Sequence, residues 1–189
     1  MPSITSANGH AAGVTTGSRV TTSDVTRTTA EATAIESGQA FCCSSIVTPT
    51  ADADVFVRIA NTSSDDLIVT KVTASAASAE TIALQTTINY TSGGTHADLV
   101  ATNRLAGSSN LFTVKGTFEG DVNITGDAGS VVIGHLGCGV AETQYTLDLH
   151  GSEIVIPSGY SLLLESITGA VALTTDVYCH FDVTPRADA

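Results

Sequence analysis

The sequence predicts an all-β fold, an antiparallel β-sandwich of jelly-roll type with an extended N-terminal arm. Three observations point there. Between residues 41 and 184 apolar side chains recur at every second position, in short runs separated by Gly, Ser, Asn and Asp clusters. Apolar runs with a helical period are scarce, which disfavours alternating strand–helix folds. Residues 1 to 40 contain no aromatic side chain, so that stretch has little with which to build a core. At 189 residues the chain is long enough for one sandwich and short for two domains. The expected division is an arm over 1–38 and a β-sandwich domain over 39–189.

The arm carries Ile4, Val14, Val20, Val25 and Ile35 without a sustained period, diluted by Thr15-Thr16, Thr21-Thr22 and Thr28-Thr29. Alone it buries too little apolar surface to offset its ordering entropy. Those five apolar residues are therefore the candidate interaction residues, ordered by contact with another surface. Thr28 to Ile35 has the composition of a short helix.

In the body, Val55, Val57 and Ile59 alternate with Phe56 and Arg58, and the Asn61–Asp66 cluster turns the chain into a strand over Leu67–Thr73. Ile82, Leu84, Thr86, Ile88 and Tyr90 share one face of the next strand. Leu111–Phe118, Val131–Leu136 and Tyr145–Leu149 follow, then Ile154–Ile156, the Pro157-Ser158-Gly159 turn and Tyr160–Ser166. Val171, Leu173, Thr175, Val177, Cys179, Phe181 and Val183 hold one face of the last strand. The alternation implies antiparallel sheets, each with one wet face.

Composition narrows the function. Charged residues make up 14% of the chain and the net charge is −12, with Lys71 and Lys115 the only lysines. A nucleic-acid partner calls for a basic footprint, which is absent, and the same acidity repels anionic membranes. No run of 18 apolar residues offers a membrane span. The start, Met1-Pro2-Ser3-Ile4-Thr5, lacks the basic and apolar regions of a secretory signal, so the three sequons at Asn61, Asn89 and Asn123 are expected to be unused.

Catalytic and metal patterns are weak. Cys42, Cys43, Cys138 and Cys179 have no paired-ligand spacing and read as core thiols, with a Cys138–Cys179 disulfide left open by the spacing. His150 and His180, with Asp148 and Asp182, would resemble a jelly-roll metal site only if packing brought them together. Asp52, Asp54, Asp65 and Asp66 suit turn chemistry better than calcium. Glu165 in the Leu162–Glu165 run reads as an exposed strand carboxylate. No nucleophile elbow, phosphate loop or dinucleotide fingerprint is present. No enzyme activity, cofactor or metal is expected.

The order of several segments carries a resemblance. Gly38-Gln39-Ala40-Phe41 precedes Val55–Thr62. Thr102-Asn103-Arg104-Leu105-Ala106-Gly107-Ser108-Ser109-Asn110 and the Gly-rich 118–134 stretch follow, and Ile154–Leu162 comes near the end. In this pattern the chain resembles the auxiliary capsid ("decoration" or "cement") proteins of tailed bacteriophages and related β-sandwich virion proteins. That resemblance implies a non-enzymatic structural protein, made in the host cytoplasm and located on the virion. It also implies binding to the outer surface of a lattice of major capsid protein, as a homotrimer whose arms reach neighbouring subunits. Alternatives are a tail or head-fibre component, a carbohydrate-binding or adhesion module using Tyr90, Tyr145, Tyr160 and Tyr178, or a jelly-roll metalloenzyme.

Overall fold

The computed structural model describes residues 4–5, 11–12, 30–88, 97–124, 130–169 and 171–182, without the side chains of 4–5, 11–12 and 121–124. It is an antiparallel sandwich. Two short strands, β1 (Ile4–Thr5) and β2 (Ala11–Ala12), pair with each other, and a helix α1 covers residues 30–36. The body holds β3 (Ala40–Val47), β4 (Asp54–Asn61), β5 (Leu67–Ala76), β6 (Glu80–Ile88), β7 (Ala97–Asp98) and β8 (Thr102–Asn103). It continues with β9 (Gly116–Ile124), β10 (Val131–Cys138), β11 (Tyr145–Asp148), β12 (Ile154–Ile156), β13 (Tyr160–Ser166) and β14 (Leu173–Phe181).

One sheet has the order β10-β6-β13-β4-β9-β7; the other runs β11-β5-β14-β3-β8, with β12 also on β5. The pairing is nested. β3 pairs with β14, β4 with β13, β5 with β11 and β12, and β6 with β10. A long antiparallel hairpin wound on itself gives this nesting, and the result is a jelly roll. β7, β8 and β9 are an insertion that extends both sheets.

The core forms where the inward faces meet. Leu173, Val177, Cys179 and Phe181 of β14 are buried at alternate positions, with Thr175 between them bonding Ser45 Oγ across the sheet at 2.7 Å. Phe41 lies edge-on to Phe112 and Phe181, with ring centroids 5.3 and 6.1 Å away. Such pairs add to the burial of each ring.

Two expectations need correction. The Leu111–Phe118 run is not one strand: a 3-10 turn over Phe112–Val114 drops Phe112 into the aromatic cluster before β9 begins at Gly116. Burying that ring outweighs local strand propensity. Gly116 permits the close pass, since a Cβ there would sit 2.5 Å from the Ala60 carbonyl oxygen and 2.9 Å from the Phe112 ring. Gly116→Ala should therefore cost about 1–3 kcal/mol in urea unfolding.

The second correction concerns the wet face. β4 is buried along its whole length, because it lies between β13 and β9 and its outward face carries a polar network. There Arg58 NH1 donates to Glu119 Oε2 at 2.9 Å, and Arg58 Nε reaches Ser161 Oγ at 3.3 Å. Leu163, also outside the main core, is fully buried beside them. Glu165, expected to be exposed, is half-buried on the same face and accepts a hydrogen bond from Gln85. Asn61 is in keeping with an unused sequon: its side chain is fully buried, which closes it to modification in the folded chain; Asn89 lies outside the described residues, as does the side chain of Asn123.

Candidate functional site

Helix α1 is held to the strands that follow it. Ala34 of α1 is fully buried, and Glu31 forms ion pairs with Arg104 and with His150 Nε2, the latter at 3.1 Å. Arg104 follows β8 and His150 follows β11, so α1 ties the loops after these two strands to one sheet face. His150 Nδ1 meets Asp148 Oδ1 at 2.5 Å, and the His150 backbone N–H donates to the same oxygen at 3.0 Å. Ser37 Oγ and the Gly38 N–H return to the Ala34 and Ile35 carbonyls, and Gly38, at φ +69°, turns the chain into β3.

Between α1 and the sheet lies a cavity of about 190 Å³. Glu31, His150, Glu153 and His180 face it together with Ile68 and Val155. The structure thus brings together His150 and His180, which the sequence left apart, through the pairing of β14 with β5 and of β12 with β5. His180 is buried, and its Nδ1 has no hydrogen-bond partner among the described residues. No group of three or more His, Cys, Asp or Glu side chains among the described residues is placed to hold a metal ion.

The cluster responds to pH in opposed ways. Hydrogen bonds to the Asp148 and Glu31 carboxylates raise His150 above its ordinary value of 6.5, against the effect of burial. Its contribution is complete below 6.5 and is lost as pH rises through its raised folded value. Burial pushes Glu31 up, but hydrogen bonds and charge from Arg104 and His150 outweigh it and leave the carboxyl below 4.5. That contribution is present above 4.5 and lost as pH falls through the lowered value. Burial holds His180 below 6.5 despite nearby carboxylates, so its neutral form contributes above 6.5 and that contribution is lost as pH falls. In Glu31→Gln, the His150 imidazole titration followed by NMR should move down, while Asp148 keeps it from returning fully to 6.5.

A buried carboxylate, Glu80, holds a loop on the other sheet. Glu80 Oε1 accepts the backbone N–H of Thr81, Ile167 and Thr168 at 2.8, 3.1 and 3.0 Å, binding the β13–β14 loop to β6. Burial raises this carboxyl, and the hydrogen bonds from Thr168 and Thr81 bring it below 4.5. It is a loop clamp.

Of the expected interaction residues, Ile35 is half-buried on α1 and Ile4 lies in β1 opposite Ala12. Val14, Val20 and Val25 lie outside the described residues. Tyr145 accepts the Val140 N–H at 2.8 Å, and Tyr178 lies under the Lys71 ammonium at 3.8 Å from the ring centroid. Tyr160 is exposed on the other sheet, and Tyr90 falls outside the described residues. Cys42, Cys43, Cys138 and Cys179 are all free thiols. Residues that sequence reasoning passed over are Glu31, Arg104 and Ala34. Glu31 was visible within the short helical run, but its partners come from distant loops.

No family model matches this chain, and no curated protein matches it. Among solved structures, a chain from the X-ray structure of tomato aspermy virus overlaps 89% of this chain and 98% of its own length, at 14% identity and a TM-score of 0.26. A likeness of that size carries no argument about what the chain does.

Proposed function

We propose that this chain is a non-enzymatic virion structural protein that binds the outer surface of a capsid lattice and stabilises it, as a decoration or cement protein. The observation that supports the proposal is a jelly-roll body on which α1, at the end of the expected arm, is held through Ala34, Glu31, Arg104 and His150. Jelly rolls host several functions, so the fold enters as analogy, beside the resemblance in segment order. A clamp of this kind works by multivalency, because each weak contact gains from the effective concentration that its neighbours impose.

In this reading the partners are the major capsid protein and further copies of the chain, grouped as trimers. Neither nucleic acid nor membrane is engaged, consistent with a net charge of −12. Assembly occurs in the host cytoplasm. Quantitative mass spectrometry of purified particles should find the chain in a fixed ratio to the major capsid protein. A few copies per particle would instead indicate a tail or fibre component, and absence from particles would refute the proposal.

A further inference from the structure

Among the described residues three of the four sheet edges end on short strands, although β7 and β8 leave much of the outer sides of β9 and β3 uncovered. β7 and β8 have two residues each, and the outer side of β5 is shared by β11 and β12, of four and three residues. The fourth edge is β10, eight residues long, Val131-Val132-Ile133-Gly134-His135-Leu136-Gly137-Cys138. Proteins guard long edges with lysine, proline or inward charge, because unpaired N–H and C=O groups invite another strand. β10 has none of these. Its only titratable groups are His135 and Cys138.

Among the described residues no strand covers the outer side of this edge, and the edge is apolar. Val131, Val132 and Ile133 are 61%, 50% and 43% exposed. The register shifts between Val132 and Gly134, so Ile133 has no partner on β6. A Cβ placed on Gly134 or Gly137 would meet nothing within 4 Å. A neighbouring backbone can therefore approach along this strand.

We infer that β10 is the docking edge for the leader of a neighbouring copy, whose segment 13–29 adds to the sheet as a further strand. This inference rests on the structural role proposed above. Ten of the seventeen residues in segment 13–29 are valine or threonine, the β-branched types that suit a pleated ladder. Charge favours the same occupant. Residues 1–29 hold two arginines and one aspartate, whereas residues 30–189 hold five basic and eighteen acidic side chains. The leader is the net-positive part of a strongly negative chain. The segment is also long, since seventeen extended residues running back from Ala30 span roughly 55 Å. Main-chain hydrogen bonds along the edge would supply affinity, and the Val131–Ile133 patch would supply an apolar anchor.

Each copy donates one leader and offers one edge, so the contact is head-to-tail and, in the trimer proposed above, closes as a ring. The test uses the full chain. Light scattering after size exclusion should give about three times the chain mass for the wild type. Two variants should each be monomeric with unchanged circular dichroism: Val131→Lys with Ile133→Lys, and a chain whose valines and threonines between 13 and 29 are replaced by glycine and serine. Mixing these two variants should restore a one-to-one complex, because one keeps its leader and the other its edge. A monomeric wild type, an edge variant that still associates, or a mixture that stays monomeric would overturn the inference. Association of the leader variant alone would assign the edge to a second β10 instead. The measurement is made on free protein, so a ring without virion location would overturn the proposed function and leave this inference standing.

Discussion

Arg58→Ala should lower the free energy of unfolding by about 3–5 kcal/mol. Arg58 and Glu119 form an ion pair at 2.9 Å on the outward face of the first sheet, with side-chain exposures of 8% and 9%. Removing the guanidinium leaves the Glu119 carboxylate buried without that countercharge and takes a donor from Ser161. Much of the cost is the stranded charge, and a double variant separates that part. Arg58→Met with Glu119→Leu removes both charges while keeping apolar volume, and should recover most of the loss. Urea unfolding of the single and double variants checks this. A single-variant cost under about 1 kcal/mol, the size of an exposed pair, would mean that this face is open to water.

Asn61→Ala should cost about 2–4 kcal/mol, because one buried side chain closes the β4–β5 turn and ties it to β12. Asn61 Nδ2 donates to the carbonyls of Asp65 and Ile156 at 2.8 and 2.9 Å. Its Oδ1 accepts from the backbone N–H and the hydroxyl of Ser63, both at 3.0 Å. Alanine leaves the Ile156 carbonyl without this donor inside the fold. Asp65 is also bridged to Lys115 at 2.6 Å, so loosening the turn also loosens the start of β9. Urea unfolding should show a lower midpoint with an unchanged slope. Hydrogen exchange should rise first in β12. Uniform exchange across all strands would contradict the local role of this side chain.

Much of the fold was legible because strand periodicity is a local signal. Leu173 to Phe181 sits on one face in both sequence and structure, and the Asn61–Asp66 and Pro157–Gly159 clusters mark real turns. The helical reading of Thr28–Ile35 agrees with α1 over the residues described. What local pattern could not supply was the second layer of burial. Arg58 alternates with Val57 and Ile59 as an outward residue should, yet it is buried because Glu119, Ser161 and Leu163 come to it from β9 and β13. Phe112 lies in a stretch with strand composition and turns inward because Phe41 and Phe181 wait there.

The site was less legible for the same reason. Glu31, Arg104, His150 and His180 are separated by long stretches of chain, and only the nested pairing of strands brings them to one face. The edge strand is an intermediate case. The run Val131–Leu136 was readable as a strand, but its position at the end of a sheet follows from its pairing with β6 alone. Apolar residues on such a strand mean core at a central position and contact surface at an edge.

The most direct test of the central claim is cryo-electron microscopy of purified particles that contain this chain. The account predicts two-sheet sandwich density at regular positions on the outer face of the capsid lattice, with the α1 side of each body connected to a leader. Finding the chain only in the tail, inside the shell or in no particle at all would contradict it.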